Sequence, residues 1–496
     1  MRRLYIREYR VLGTQELPKI NVEEAVYPFL GPGRTEEDVE QARAALEKAY
    51  HDAGYQAASV QVPPQTGRRG IVVLQVAEGK VARLRVKGSR YFLPSHIKAQ
   101  ARSLAEGQAV NLNNVTRDIL ALNQLSDRQV TPSLRAGEEP GTVDVDLTVK
   151  DKLPLHGSIE LNNRYSADTS PLRLSASASY NNLCQAGHTL GVSFQTAPQE
   201  PDEAKVFAGY YIWRFANVDW LSLLFQGTKQ DSNVSTLGGL AVAGRGEILG
   251  TRAIIALPPG RSFFQSFNFG FDYKRFEQEV TIGGTALLTP ITYFPVSASY
   301  TATWAPKGST TEFNAGVVFG IRSSESARRE FSDNRFDADT NFIYLRGDLS
   351  HTRDLPRGFE AFGKVQGQVA DQALVNSEQY AGGGLATVRG YLEAETLGDN
   401  AIFGTLELRS PSLLGWMKGA GNEWRVYLFG DAGTLNLHSP LPEQDSSFKL
   451  ASVGVGSRVQ IREHFNGSVD LAMPLIGQTQ TGAGDPFLSF RVWADF

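Results

Sequence analysis

Cysteine is almost absent from this sequence, and other features are missing with it. Cys184 is the single cysteine among 496 residues, so the chain has no internal disulfide and no cysteine-based metal site. No run of about 18 apolar residues occurs, which excludes a bundle of transmembrane helices. The formal net charge is −4, which gives no reason to expect a nucleic-acid partner.

Sequence motifs for enzymatic chemistry are missing as well. None of the seven histidines has another at metal-ligand helical spacing, and neither a G-x-S-x-G nucleophile elbow nor a phosphate-binding loop occurs. The run Gly382-Gly383-Gly384 is not followed by a helical pattern, so we interpret it as a flexible hinge rather than a nucleotide cradle. We therefore predict that the protein is not an enzyme and that it holds no cofactor and no metal.

What the sequence does contain favours β-strands. The 49 glycines and the aromatic content of 10% are typical of many strands joined by tight turns. A chain of 496 residues is long for one domain, so several domains or a very large β architecture are expected. The pattern changes near residue 153, from mixed helix and strand to pure alternation. We predict domains at 1–78, 79–153 and 154–496.

Residues 1–153 consist of two copies of one β-α-α-β-β unit. The first copy has a predicted strand over 4–12, helices over 22–29 and from Thr35 to Gly54, and strands over 57–62 and 70–76. The second has a strand over 81–88, helices near 94–103 and 113–122, and strands over 129–134 and 142–149. Within the longer helix of the first copy, Val39, Ala42, Leu46 and Tyr50 recur at helical spacing. This element order resembles the polypeptide-transport-associated (POTRA) domain, and any other small α+β pair is the alternative.

Residues 154–496 contain about sixteen segments of roughly ten residues with alternating polarity, as expected of a transmembrane β-barrel. A soluble sandwich could alternate in the same way, but the gaps between segments alternate between short and long. The long gaps fall near 230–244, 277–290, 321–339, 371–399 and 434–447. Short turns on one side and long loops on the other are typical of outer-membrane barrels. The predicted fold is α+β periplasmic domains followed by an all-β, 16-stranded barrel.

The last segment of the chain carries a second indication of a barrel. Leu488, Phe490, Val492, Ala494 and Phe496 share one face of a strand, and polar residues alternate with them. A lipid-facing strand with a terminal Phe resembles the signal by which outer-membrane barrels are recognised for insertion. We predict that Phe490, Val492 and Phe496 form this signal.

Two motifs place an arginine and a carboxylate in the predicted barrel. The motifs are Val388-Arg389-Gly390-Tyr391 in the gap 371–399, and Phe429-Gly430-Asp431-Ala432-Gly433 on a later strand. Even-numbered residues of that strand are apolar, so Phe429 and Asp431 face the lumen. A lone carboxylate among lumen-wall aromatic residues is costly unless it is paired or well hydrated. Arg389 is a natural partner, because a guanidinium binds a carboxylate bidentately. Alternatively, Asp431 faces channel water.

Gly390 and Tyr391 extend this prediction to the neighbouring backbone. A glycine allows the tip of the loop to pass close to the wall, and Tyr391 can pack on the wall beside it. We therefore predict that the loop 371–399 folds back into the lumen.

Together, the two POTRA-like units, the barrel and both motifs resemble the hemolysin secretion/activation transporters of two-partner secretion (ShlB/FhaC/HecB type). The resemblance implies a Gram-negative outer-membrane translocator. It would capture an unfolded exoprotein in the periplasm through its POTRA domains and export it through the barrel to the cell surface. The implied partners are a hemolysin-, hemagglutinin- or adhesin-like client, outer-membrane lipid and lipopolysaccharide, and the barrel assembly machinery during biogenesis. The implied oligomeric state is a monomer, and activation of the client during transport is left open.

Two other functions stay open at this point. An outer-membrane insertion factor of the same superfamily shares both motifs, although such proteins usually carry more POTRA domains. A passive porin needs no periplasmic domains.

The N-terminus departs from the family pattern. Two basic residues precede the first predicted strand, with no apolar signal-peptide core and no cleavage site. We therefore expect a missing N-terminal segment. Family members usually carry a signal peptide and a pore-plugging helix before the first POTRA domain, and nothing in this sequence corresponds to that helix.

Overall fold

The computed structural model describes residues 4–65, 70–167, 169–215, 218–232, 234–235, 242–243, 245–282, 285–321, 325–414 and 422–496. It divides the chain into two compact units. The first comprises Met1–Pro154 with Cys184–Gly187, and the second comprises Leu155–Leu183 with His188–Phe496. No helix in the described part of the chain is long and apolar enough to cross a membrane.

The first unit contains four α-helices and eight strands in its described residues. The helices are α1 Lys19–Val26, α2 Glu36–Asp52, α3 Pro94–Gln100 and α4 Leu112–Leu122. The strands are β1 Leu4–Ile6, β2 Glu8–Leu12, β3 Gly31–Arg34, β4 Ser59–Gln61, β5 Ile71–Ala77, β6 Lys80–Lys87, β7 Arg128–Ala136 and β8 Thr142–Asp151. Short 3-10 helices span Tyr27–Phe29 and Arg102–Leu104. The eight strands form two three-stranded sheets in the orders β2-β5-β4 and β6-β8-β7, and a separate pair, β1-β3.

The helix α2 forms where its sequence pattern predicts it. The Asp38 backbone N–H donates a hydrogen bond to the Thr35 hydroxyl at 3.4 Å, and the Thr35 backbone N–H donates to an Asp38 carboxylate oxygen at 2.7 Å. The two bonds form a capping box. The four residues at helical spacing are buried: Val39, Ala42, Leu46 and Tyr50. The single strand predicted over 4–12 is wrong, because the chain changes partner at Arg7. There β1 pairs with β3, whereas β2 runs parallel to β5.

The buried side chain of Arg128 caps the C-terminal end of α4, beside the sheet β6-β8-β7. The Arg128 Nε and Nη2 atoms donate to the Leu122 carbonyl at 3.0 and 2.8 Å. Its guanidinium also lies 5.0 Å from the ring centroid of Phe92. Burial lowers the pKa of Arg128 to about 10. The side chain therefore satisfies a helix-terminal carbonyl that would otherwise be buried without a donor.

The second unit is built almost entirely of strands. The ring strands are β9 Leu155–Asn162, β10 Arg173–Leu183, β11 His188–Thr196, β12 Lys205–Phe215, β13 Val218–Asp231, β16 Arg245–Ala256, β17 Phe263–Ile282, β19 Pro295–Trp304, β20 Ser309–Gly320, β21 Ile343–Asp354, β22 Glu360–Ala370, β25 Asn400–Arg409, β26 Glu423–Asn436, β27 Ser447–Ile461, β28 Phe465–Pro474 and β29 Phe487–Asp495. Between them lie β14 Val234–Ser235, β15 Val242–Ala243, β18 Thr285–Tyr293, β23 Tyr380–Gly382, β24 Thr396–Gly398 and the helix α5 Glu325–Asn334.

These strands close into an antiparallel barrel of sixteen strands in the described residues, which confirms the predicted fold class. The strand β18 continues β19 and pairs with the far end of β17, from Lys274 to Ile282. The long gap predicted near 277–290 is therefore largely strand. The helix α5 lies in the gap predicted at 321–339, where no helix was expected. We call the two ends of the barrel the turn end, with the short connections, and the loop end, with the long ones.

The barrel closes where β29 meets β9, and we call this contact the seam. Five residues of β29, from Arg491 to Asp495, are paired in register with β9. By comparison, eight residue pairs join β28 to β29. At the turn end Phe496 and Gly157 exchange two backbone hydrogen bonds of 2.8 and 3.0 Å. At the loop end the Asn163 side chain donates to the Leu488 carbonyl at 2.7 Å.

Candidate functional site

A long loop lies against the inward face of the barrel wall. Residues 371–399 join β22 to β25 and carry the two-stranded sheet of β23 and β24. Tyr380 of the loop stacks on Phe403 of β25, with ring centroids 5.7 Å apart. Val388 and Tyr391 are fully buried in the same cluster, together with Leu435 of β26. The loop thus packs against the wall through an apolar surface of its own.

The structure brings Arg389 and Asp431 together. Arg389 Nε lies 2.7 Å from Asp431 Oδ2 and Nη2 lies 2.9 Å from Oδ1, which is a bidentate contact. The backbone N–H of Arg389 also donates to Asp431 Oδ2 at 3.1 Å. Both side chains are buried, with 6% and 1% exposed. Asp431 is buried on the inward face of β26, whereas Leu428 and Ala432 on the other face are exposed, as the parity of the strand predicts.

Asp431 is not the lone carboxylate that the sequence suggested. Arg389 Nη1 lies 2.7 Å from Glu407 Oε1 and 3.5 Å from Asp470 Oδ1. Its guanidinium carbon lies 3.6 Å from the ring centroid of Phe429, a cation–π contact. Arg389 therefore meets three carboxylates and one aromatic face at once.

Two further arginines complete the charge balance. Arg409 Nη2 lies 2.8 Å from Glu407 Oε2, and Arg458 Nη2 lies 3.4 Å from Glu407 Oε1. Three guanidinium groups thus face three carboxylates, and we call these residues, with Phe429, the arginine cluster. Sequence reasoning missed Glu407, Asp470 and both wall arginines. The signal was present for Glu407 and Asp470, since each lies between two exposed apolar residues of its strand.

Gly390 allows the backbone to approach the wall at this site. Its φ is +94°, and a Cβ atom there would lie 3.1 Å from Ala472 Cβ and 3.3 Å from Pro474 Cγ. The next residue, Tyr391, is 1% exposed, and its hydroxyl lies 3.0 Å from the Ala451 carbonyl. The four residues of the loop motif therefore form one buried contact surface.

The glycines of the neighbouring strands make room for aromatic rings. Gly433 faces inward two residues after Asp431, and a Cβ atom there would lie 2.1 Å from the ring of Phe403. A Cβ atom at Gly454, which is directly opposite Phe429 in register, would lie 2.4 Å from the Phe429 ring. The ring beneath Arg389 is thus held by the shape of the wall.

The residues of the predicted insertion signal lie apart from this site. Val492 of β29 and Phe496, which directly follows that strand, are exposed over 57% and 65% of their surface, and Phe490 of β29 is half-buried. Phe490 and Val492 belong to the strand that forms the seam, and the Phe496 backbone extends that contact through its hydrogen bonds with Gly157. Their role in insertion stays a prediction.

Chemically, the arginine cluster is suited to holding a loop in place. It contains no nucleophile. Among the residues that the structure describes, no group of three or more histidine, cysteine, aspartate or glutamate side chains is arranged to hold a metal ion. Arg389 and its three carboxylate partners are buried, so loss of Arg389 leaves buried negative charge without its partner.

Comparisons with known proteins agree with this architecture. The family model for the haemolysin secretion/activation protein ShlB/FhaC/HecB matches residues 141–459, and the ShlB-type POTRA domain matches residues 4–79. The heme/hemopexin transporter protein HuxB of Haemophilus influenzae is 20% identical over 469 residues, which are 90% of this chain and 79% of HuxB. The outer membrane transporter CdiB of Dickeya dadantii is 24% identical over 403 residues, covering 75% of this chain and 66% of CdiB.

Solved structures share the fold. CdiB from Escherichia coli superposes with a TM-score of 0.69 at 18% identity, over 100% of this chain and 91% of that one. BamA from Haemophilus ducreyi, lacking POTRA domains 1–3, gives a TM-score of 0.57 at 14% identity, over 99% of this chain and 100% of that one.

The fold and the matches define an outer-membrane β-barrel transporter with an N-terminal POTRA domain. The chain belongs to the haemolysin secretion/activation family ShlB/FhaC/HecB, the translocators of two-partner secretion.

Proposed function

We propose that this translocator captures an unfolded exoprotein through residues 1–153 and exports it through the barrel, with the arginine cluster as its gate. The client is a hemolysin-, hemagglutinin- or adhesin-like protein. The observation that carries the gate is the bidentate, buried contact between Arg389 and Asp431. The domains of this proposal are POTRA domains at 1–78 and 79–153 and a barrel at 154–496.

The gate has two positions in this proposal. In one, the loop 371–399 is docked on the wall through the arginine cluster and occupies part of the lumen. In the other, the client displaces the loop, and the charges of the cluster are exposed to water in the lumen. A buried network with few alternative partners favours discrete positions over gradual movement.

Client capture uses exposed sheet edges. β7 is an outer strand of the sheet β6-β8-β7, and six of its nine residues, including its last four, are exposed. An extended segment of the client can add to such an edge through main-chain hydrogen bonds.

In this proposal the two domains lie in the periplasm, where the client arrives. The barrel is inserted by the barrel assembly machinery and then contacts outer-membrane lipid and lipopolysaccharide as a monomer.

The test is secretion of a hemolysin-, hemagglutinin- or adhesin-like exoprotein paired with this chain, in a host that lacks its own translocator. We expect surface delivery with the intact chain and none with the variant Arg389→Ala, while both are recovered as folded barrels. Delivery of the client by the variant at the level of the intact chain would contradict the gate. A second arm deletes residues 4–153, and undiminished secretion from that protein would contradict capture.

The insertion factor of the same superfamily is the second candidate, and the shared fold with BamA is the observation behind it. The two functions differ in their clients. If the chain restored the assembly of unrelated barrels in cells depleted of their own insertion factor, without exporting the exoprotein of the first test, this second function would replace the first.

A further inference from the structure

A second buried ion pair links the loop 371–399 to the seam. Arg164 follows the first ring strand β9, and its Nε and Nη2 atoms lie 2.7 and 3.3 Å from the two carboxylate oxygens of Glu393. The side chains are 12% and 3% exposed. The backbone N–H of Glu393 also donates to the Tyr165 carbonyl at 3.0 Å. The loop is therefore tied to the residues that lead out of β9.

The same loop also contacts the other side of the seam. The Tyr391 hydroxyl donates to the Ile476 carbonyl at 2.7 Å, and the Thr481 hydroxyl donates to Glu395 at 2.5 Å. Ile476 and Thr481 belong to the segment 475–486, which leads into the last ring strand β29. The loop thus bridges the chain on both sides of the place where the barrel closes.

Steric crowding next to this contact explains why residues 383 and 384 are glycines, and the sequence alone did not indicate this reason. Gly384 has a φ of +85°, and a Cβ atom there would lie 2.3–2.7 Å from the carboxylate atoms of Glu393. Gly383 has a φ of +101° and would bring a Cβ atom within 2.4 Å of the Leu392 carbonyl oxygen. Gly384 admits the Glu393 carboxylate to its position beside Arg164, and Gly383 admits the backbone that precedes it, which the hinge interpretation did not predict.

Toward the loop end, the seam is also held by the bidentate Glu160–Arg491 ion pair at 2.7 and 2.9 Å and by the contact of the Asn163 side chain with the Leu488 carbonyl. No turn joins β29 to β9, and the two strands are paired in register over five residues. Above the register pairs, the Phe490 amide donates to the Asn163 side chain at 2.7 Å. A contact that bridges the two sides there contributes more to closure than it would between strands joined by a turn.

We propose that Glu393 and Arg164 form a clasp that holds the loop end of the seam closed, so that displacement of the loop loosens the pairing of β9 with β29. This goes beyond the proposed function, because it concerns the closure of the barrel and holds whatever the client is. The coupling is reciprocal: a seam that opens at the loop end removes a partner from the loop.

The test is hydrogen exchange of the full-length protein in detergent micelles, with Glu393→Gln as the variant. It keeps the size of the side chain and removes its charge. We expect the backbone amides of residues 155–163 and 487–496 to exchange at least about tenfold faster, because removal of one charge leaves the buried Arg164 without the carboxylate that binds it directly. Amides of β20 and β21 should be unchanged.

Arg252→Gln is the matched control. Arg252 of β16 binds Asp272 of β17 bidentately: Nη1 lies 2.7 Å from Oδ1, and Nη2 lies 2.7 Å from Oδ2. It is a partly buried pair of the same chemistry in the wall, with side chains 21% and 8% exposed, and it lies away from the seam in strand order. The control should leave exchange at the seam unchanged.

Two further variants keep the inference testable if Glu393→Gln is not recovered as a folded barrel. Arg164→Gln removes the same pair from the wall side, and Gly384→Ala displaces the Glu393 carboxylate by a direct clash. Wild-type exchange at the seam in the recovered variants would overturn the clasp, as would equal acceleration in Arg252→Gln. No secretion is measured, so this outcome is independent of the gate: a failed Arg389→Ala secretion test leaves it unaffected.

Discussion

Replacement of Arg389 by alanine is the sharpest perturbation of the arginine cluster. The change removes a guanidinium that lies 2.7–3.5 Å from three buried carboxylates and stacks on Phe429. Glu407 keeps two other arginines, so the loss falls mainly on Asp431 and Asp470. Loss of one partner from a buried pair costs about 3–5 kcal/mol, which lowers the ratio of docked to undocked loop by roughly 150- to 5,000-fold.

The assay is hydrogen exchange of the loop peptide 383–395 in the purified, folded barrel. We expect its amides to lose protection by a factor in that range, and we expect single-channel conductance in planar bilayers to rise as the loop leaves the lumen. Asp431→Asn should have a smaller effect, because Arg389 keeps Glu407 and Asp470. The two changes should combine non-additively in the double variant, since they act on one contact.

Two results would refute this reasoning. One is loop exchange in Arg389→Ala equal to that of the intact chain, which would mean that the cluster does not hold the loop. The other is strict additivity in the double variant, which would mean that Arg389 and Asp431 act separately. Arg389→Lys is the matched control for charge: a lysine cannot form the bidentate contact, so partial protection is expected.

Three further predictions concern local stability. Gly390→Ala should weaken loop docking by about 1–3 kcal/mol, because it forces a side chain into a positive φ against the wall, and exchange of the peptide 383–395 measures this. Thr35→Ala should lower the local stability of α2 by about 1 kcal/mol through loss of the cap with Asp38, measured by exchange of the α2 amides. Arg128→Met should cost about 1–3 kcal/mol in α4 and β7, because the Leu122 carbonyl loses its donor, and exchange in those two elements is the measurement.

Local patterns in the sequence were sufficient for much of the fold. The alternation of polarity along each strand predicted the barrel, and the parity of β26 predicted that Asp431 points inward. The capped, amphipathic pattern after Thr35 gave α2. By contrast, α5 has a single buried residue, Phe331, so its sequence shows no apolar periodicity that would indicate a helix.

The composition of the arginine cluster could not be predicted in the same way. Parity shows that Glu407 and Asp470 face inward, but only the register between strands decides which inward residues are neighbours. In the structure Glu407 is opposite Phe429 and Asp470 is opposite Gly456. The pair of Arg164 and Glu393 is 229 residues apart in sequence, and no local pattern points from one to the other.

The seam also has a consequence for the order of events during biogenesis. The side-chain contact of Asn163 with Leu488 spans 325 residues, and the pair Glu160–Arg491 spans 331. Contacts of such separation carry the largest loop-closure entropy, so hairpins between successive strands should form earlier. Until the seam forms, the barrel is an open sheet with two unpaired edges, and unpaired edges invite pairing with other chains. A nascent barrel of this kind therefore needs its edges to be protected through most of its assembly, and the final pairing of β29 with β9 ends that need.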